Sequence, residues 1–215
     1  MMFVAKWMTA NPVTVTPDTS VAEAKELLIK NKFRRLPVVK DKTLLGILTD
    51  RDLREVAPSP ATTLSKLEAN YLLDRVVVRD IMKKHVLTIH AEAMIEEAAL
   101  IMCKEKIGGL VVLDASDAVV GIITETDIFK SFVEVMGLAE GKTRLTIGGA
   151  NQVGVLHEIT GVFQELNINI VSMVISAKSA EQAELIIRAD VAEVGPLTQR
   201  LSELGYPVLH VVQIG

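Results

Sequence analysis

Two short stretches hold the residue types and spacing best suited to chemistry. Thr49 and Asp52 lie three apart in Gly46-Ile47-Leu48-Thr49-Asp50-Arg51-Asp52-Leu53, and Thr124 and Asp127 lie three apart in Gly121-Ile122-Ile123-Thr124-Glu125-Thr126-Asp127-Ile128. Each reads as the end of an apolar strand followed by the first turn of a helix. A threonine there can cap the helix: its oxygen takes an orphan N–H, and an acid at the third position reaches back. The same turn can instead hold a ligand. A helix N-terminus offers free N–H groups and partial positive charge to a phosphate. The hydroxyl adds one hydrogen bond, and the aspartate can accept from both vicinal hydroxyls of a ribose. Spacing alone leaves both readings open.

The copies differ in charge. Lys32, Arg34, Arg35 and Arg51 lie near the first, whereas the second has Gly108-Gly109 where the arginines stood and Glu125 where Asp50 stood. Adjacent residues of an extended chain point to opposite faces, so one of Arg34 and Arg35 is expected to serve the cleft. A phosphorylated ligand is therefore expected at the first copy. The second is expected to hold a less charged nucleoside or stay empty. If the copies pair, phosphates at one can also reach basic groups of the other.

Other reactive residues offer less. Gly148 to Gly154 follows a strand and precedes a helix, but it lacks the G-x-G-x-x-G spacing of a dinucleotide loop. No pair among His85, His90, His157 and His210 has metal-ligand spacing, and none adjoins a nucleophile. Asp50 and Asp52 diverge rather than form an acid/base pair. The single cysteine, Cys103, excludes an intramolecular disulfide and a multi-cysteine metal cage, and its helical apolar position reads as core. Met82, Met94 and Met102 read as core and cleft filling. No catalytic residue and no metal site is expected.

The elements that must position these groups also repeat. Met8 to Thr14 aligns with Met82 to Thr88, Val21-Ala22-Glu23-Ala24 with Ile95-Glu96-Glu97-Ala98, and Leu36-Pro37-Val38-Val39 with Leu110-Val111-Val112-Leu113. Within the first copy the pattern predicts a strand at Val13-Thr14-Val15 and a helix from Val21 to about Lys32. A hairpin of Leu36 to Val39 and Leu44 to Leu48 follows, then a helix from Asp50 to about Val56. After a polar linker the rhythm changes to strand Arg144–Ile147, loop Gly148–Gly154 and helix Val155–Leu166. Strands Ile168–Ile175 and Ala183–Val191, a helix Gly195–Leu204 and a strand Pro207–Ile214 complete a β-α-β-β-α-β order, that of a ferredoxin-like unit.

With 49% apolar and 23% charged residues, the chain can bury a core. A net charge of −4 argues against a broad nucleic-acid-binding face. No apolar run approaches a membrane span, and the start has no long apolar run of a signal peptide, so a cytoplasmic location is expected.

These residues resemble known families. The two repeats, about 4 to 136, are similar to CBS domains, on the strand ending Gly-Ile-Leu/Ile-Thr, the Thr-x-x-Asp turn and the Leu-Pro-Val-Val type strand. Residues from about Thr143 look like an ACT domain, on Asn151-Gln152-Val153-Gly154-Val155-Leu156 and Asn167-Ile168-Asn169-Ile170. With the Thr63 to Leu73 connector, the whole chain resembles the acetoin-utilisation AcuB-type proteins. The implied fold is α/β (α+β): two β-α-β-β-α CBS repeats (1–57 and 75–137) paired around a connector (58–74), then an ACT domain (143–215).

The resemblance implies a non-catalytic regulatory protein without a prosthetic group. An adenine nucleotide (ATP, ADP or AMP) or S-adenosylmethionine would be held by Thr49, Asp52, Arg34, Arg35, Arg51, Thr124 and Asp127. The ACT domain would receive an amino acid or other small effector at Asn151, Gly154, Val155 and Leu156, with Asn169 from a neighbour. Asn151 stands where that family usually has an acid. A homo-oligomer and a target enzyme are implied partners. The alternatives are an oligomerisation adaptor with empty sites, or an enzyme of acetoin or nucleotide metabolism.

Overall fold

A computed structural model describes residues 2–56, 75–138 and 143–213. The chain divides into two units, Met1–Ile128 and Phe129–Gly215. The expected connector at 58–74 lies outside the described residues.

The first unit holds both repeats. The first contains α1 (Val4–Trp7), β1 (Thr9–Ala10), α2 (Val21–Asn31), β2 (Arg35–Lys40), β3 (Thr43–Thr49) and α3 (Asp50–Val56). The second contains α4 (Val78–Ile81), β4 (Thr88–His90), α5 (Ile95–Glu105), β5 (Gly109–Leu113) and β6 (Val119–Thr124), and α6 (Glu125–Val135) runs on from β6. Ser20 starts α2 by accepting the Glu23 N–H at 3.1 Å, as a serine N-cap should. Both α2 and α5 stop at a lysine in the left-handed region, Lys32 (φ 56°) and Lys106 (φ 54°). That turn delivers the next residues onto the hairpin.

The repeats exchange their edges. The β5–β6 hairpin is flanked by β4 of its own repeat and by β1 of the other, in the order β1-β6-β5-β4. The β2–β3 hairpin is flanked likewise by single bridges, Val15 to Val38 from its own repeat and Lys83 to Ile47 from the other. The cores are exchanged too. Val78 packs with Leu36, Leu48 and Leu53 of the first repeat, and Val4 with Leu110, Val112 and Ile123 of the second. The motif glycine makes this crossing possible: a Cβ on Gly46 would stand 2.6 Å from Met82 Sδ, and one on Gly121 would overlap Met8 Sδ.

The second unit contains β7 (Thr143–Ala150), α7 (Val155–Glu165), β8 (Ile170–Ala177), β9 (Gln182–Ala189), α8 (Val194–Glu203) and β10 (Val208–Val212). Its antiparallel sheet has the order β10-β7-β9-β8. Alternate residues Leu145, Ile147, Leu185 and Ile187 form one core with Ile159, Phe163, Leu197 and Leu201 of the two helices. This is the expected ferredoxin-like order.

Several local expectations need correction. The strand at Val13–Val15 shrinks to the one bridge of Val15, and α1 and α4 are helices that the periodicity did not announce. The loop from Gly148 begins later, because Gly148, Gly149 and Ala150 still pair with Glu184, Ala183 and Gln182. Cys103 is exposed rather than core. The buried face of α5 runs through Ile95, Ala98 and Met102, and the residue after Met102 is rotated off that face. Met94 is exposed as well.

Candidate functional site

Both Thr–Asp turns close on themselves. Thr49 N and Oγ1 donate to Asp52 Oδ2 at 2.8 and 2.5 Å. Thr124 N and Oγ1 donate to Asp127 Oδ2 at 3.0 and 2.7 Å. Each helix therefore starts with its third-position acid reaching back to the strand end. Both carboxylates are buried, at 4% and 6% exposure. In the first turn a further contact is made: Lys83 Nζ stands 3.3 Å from Asp52 Oδ1.

A cleft of about 390 Å³ opens beside the second turn, within the size range of small-molecule sites. Four pieces of chain wall it. Thr9, Asn11, Pro12 and Val13 come from β1 and the segment after it. Lys32, Phe33, Arg34 and Arg35 come from the end of α2 and the start of β2. Gly108 precedes β5, and Ile122, Thr124, Glu125 and Thr126 join β6 to α6. The first two groups belong to one repeat and the last two to the other, because the edges are exchanged.

The expected grouping of Arg34, Arg35 and Arg51 with Thr49 and Asp52 therefore changes. Arg34 and Arg35 both line the cleft of Thr124. Arg51 pairs instead with Glu55 at 3.3 Å, its side chain 77% exposed. Thr49 and Asp52 are not on the cleft wall, and Asp127 lies behind Thr124 rather than on it. Both arginines reach the cleft because Arg34 precedes β2 and escapes the strand's pleat. Thr9, Asn11, Pro12, Val13, Phe33, Glu125 and Thr126 were not singled out from the sequence as site residues. The matched Met8–Thr14 and Met82–Thr88 segments were the available signal.

Arg35 is laid across the other repeat. A Cβ on Gly109 would overlap Arg35 Nη1, and one on Gly108 would stand 3.1 Å from both Arg35 Nη2 and Glu125 Oε2. The two glycines thus leave the space that the guanidinium and the carboxylate share. Burial lowers the Arg35 pKa from the ordinary arginine value, and Glu125 partly opposes that shift. Arginine remains protonated at any physiological pH.

In the second unit, Gly154 caps α7 with φ 99°, a left-handed conformation that glycine adopts without a Cβ penalty. Asn151 is held by the neighbouring hairpin, its N–H on Glu181 O at 2.9 Å and its Nδ2 on Ser179 O at 3.3 Å. Val155 is core, while Leu156 is 41% exposed. Asn169 follows the far end of α7, an 11-residue helix about 16 Å long, so one chain does not bring it to Asn151. Within the same unit, Tyr206 Oη donates to Glu158 Oε2 at 2.5 Å, which raises the tyrosine pKa.

Comparison with known proteins agrees with this architecture. The CBS-domain family matches residues 4–59 and 78–134, and the ACT-domain family matches residues 143–206. CBSX2, crystallised in complex with AMP, is 30% identical with a TM-score of 0.51, over 63% of this chain and 98% of that one. CBSX2 is a CBS-pair protein of Arabidopsis thaliana. The CBS domain pair of protein MJ0100, in complex with 5′-methylthioadenosine and S-adenosyl-L-methionine, is 28% identical with a TM-score of 0.50, over 60% and 98%. A Vibrio cholerae protein described as acetoin utilization protein AcuB is 31% identical with a TM-score of 0.54, over 65% and 96%. Inosine-5′-monophosphate dehydrogenase of Aquifex aeolicus is 34% identical over 148 residues, which are 68% of this chain but 28% of the enzyme.

Proposed function

The chain belongs to the CBS-domain family and carries an ACT domain, and from that premise we propose that it is a non-catalytic sensor of an adenine nucleotide or S-adenosylmethionine. The observation that carries this reading is the cross-repeat cleft, whose walls join the Thr124 turn at the start of α6 to Arg34 and Arg35 of the other repeat. A ligand seated there touches both repeats at once. It favours whichever arrangement of the repeats keeps those walls together, and its regulatory effect equals its difference in affinity between arrangements.

In this reading Thr124 and the α6 N-terminus meet the phosphate, Asp127 aims Thr124 from behind the wall, and Arg34 and Arg35 supply charge. Thr49, Asp52 and Arg51 belong to the corresponding turn of the first repeat. The family resemblance supports the non-catalytic reading, as does the use of both motif aspartates as helix caps. The ligands crystallised with CBSX2 and MJ0100 support an adenosyl compound. The ACT domain is assigned a small effector at Asn151, Gly154, Val155 and Leu156, completed by Asn169 of a second copy, which makes the protein a homo-oligomer. The likeness to the Vibrio cholerae protein, which spans the CBS pair, supports a role in acetoin-linked carbon metabolism through a target enzyme.

Thermal unfolding of ligand-free protein with AMP, ADP, ATP and S-adenosylmethionine tests the reading. A ligand at 100 times its dissociation constant adds about 2.7 kcal/mol, so at least one should raise Tm by several degrees. No shift with any of the four would contradict the sensor and favour an adaptor.

A further inference from the structure

We propose that the cross-repeat cleft selects its ligand by the charge at the 5′ position, accepting a nucleoside phosphate and rejecting a sulfonium. This rests on the adenosyl-sensor reading and narrows it. The relatives leave the point open, since one was crystallised with AMP and another with 5′-methylthioadenosine and S-adenosyl-L-methionine.

The walls of this chain's cleft are unequal in charge. Lys32, Arg34 and Arg35 line it from one repeat, and Glu125 is the carboxylate-bearing residue among its walls. The start of α6, an 11-residue helix, contributes Glu125 and Thr126 to the same wall. The helix start adds partial positive charge. Arg35 cannot easily swing away, because it is fitted over Gly108 and Gly109. A phosphate is therefore attracted by the cations and by the helix start alike. The methionyl arm of S-adenosylmethionine carries a sulfonium and an α-ammonium against one carboxylate, so it is net cationic and meets the same charges as net repulsion. 5′-Methylthioadenosine carries no charge at that position and isolates the contribution of the nucleoside.

Glu125 has a defined part in this arrangement. Its Oε2 and Arg35 Nη2 stand equally close, 3.1 Å, to the point where a Gly108 Cβ would be. It partly offsets the guanidinium field, so it opposes a bound phosphate and moderates affinity. Removing its charge should tighten phosphate binding, an effect that a purely structural glutamate would not produce.

The test is calorimetric titration of AMP, 5′-methylthioadenosine and S-adenosylmethionine into the full-length protein and its Arg34→Gln and Glu125→Gln variants, at low and high salt. Arg34 is exposed, so its replacement leaves the fold intact. AMP should bind roughly tenfold or more tightly than either other compound. That preference should shrink in Arg34→Gln, widen in Glu125→Gln and weaken with salt. S-adenosylmethionine or 5′-methylthioadenosine binding as tightly as AMP would overturn charge selection while leaving adenosyl sensing standing. No heat from any of the three would overturn both.

Discussion

In the first repeat Thr49 gives its N–H and hydroxyl to Asp52 Oδ2 while Lys83 sits 3.3 Å from Oδ1; in the second, Thr124 makes the same two bonds to Asp127, and the residue bridged to the strand beside it is Thr9. The local chemistry of the two turns is nearly the same. What differs is the strand each receives from the other repeat: Lys83 opposite Ile47, Thr9 opposite Ile122. The next difference is the residues that lead into each hairpin, Arg34 and Arg35 against Gly108 and Gly109. The Thr–Asp pair is thus a scaffold element that both repeats need. The neighbour across the repeat boundary supplies the basic wall of the cleft beside Thr124.

The largest effects should strike both halves equally. Leu48 and Ile123 occupy matching positions before the two threonines and are fully buried. Leu48→Ala and Ile123→Ala should each cost about 2–5 kcal/mol in urea-induced unfolding. A loss confined to one of them would break the equivalence of the two scaffolds. Gly109→Ala should separate the halves. Its Cβ would overlap Arg35 Nη1 and lie 2.8 Å from Ile123 O, an overpacking that costs about 1–3 kcal/mol and displaces Arg35 from the cleft. AMP affinity should fall with stability in this variant. Full affinity in a folded Gly109→Ala protein would show that Arg35 is not needed where it lies.

Much of this was legible in the chain. The matched Gly-Ile-Leu/Ile-Thr stretches and their flanks located both hairpins and both helix starts, because period and capping residues are local signals. The β-α-β-β-α-β rhythm after Thr143 did the same for the second unit. The partnership of Arg34 and Arg35 with Thr124 was legible only as one consequence of pairing, not as an assignment. It depends on the exchange of β1 and Lys83 between repeats, and nothing within either motif encodes which copy lies opposite. Glu125 read only as the counterpart of Asp50 when the second copy was taken alone. Across the boundary it becomes one acid among three basic residues. Cys103 shows a smaller limit: one residue of slip around a helix converts a core position into an exposed one.

The most direct measurement is the titration of AMP into Asp127→Ala and Asp52→Ala proteins, each first shown by thermal unfolding to be folded. Hydrogen bonds to charged groups contribute ~1.5–3 kcal/mol, so losing the carboxylate that aims Thr124 should weaken binding roughly tenfold or more. Binding weakened by Asp127→Ala and spared by Asp52→Ala is the predicted result. Binding removed by Asp52→Ala and spared by Asp127→Ala would contradict the account and return the nucleotide to the first repeat.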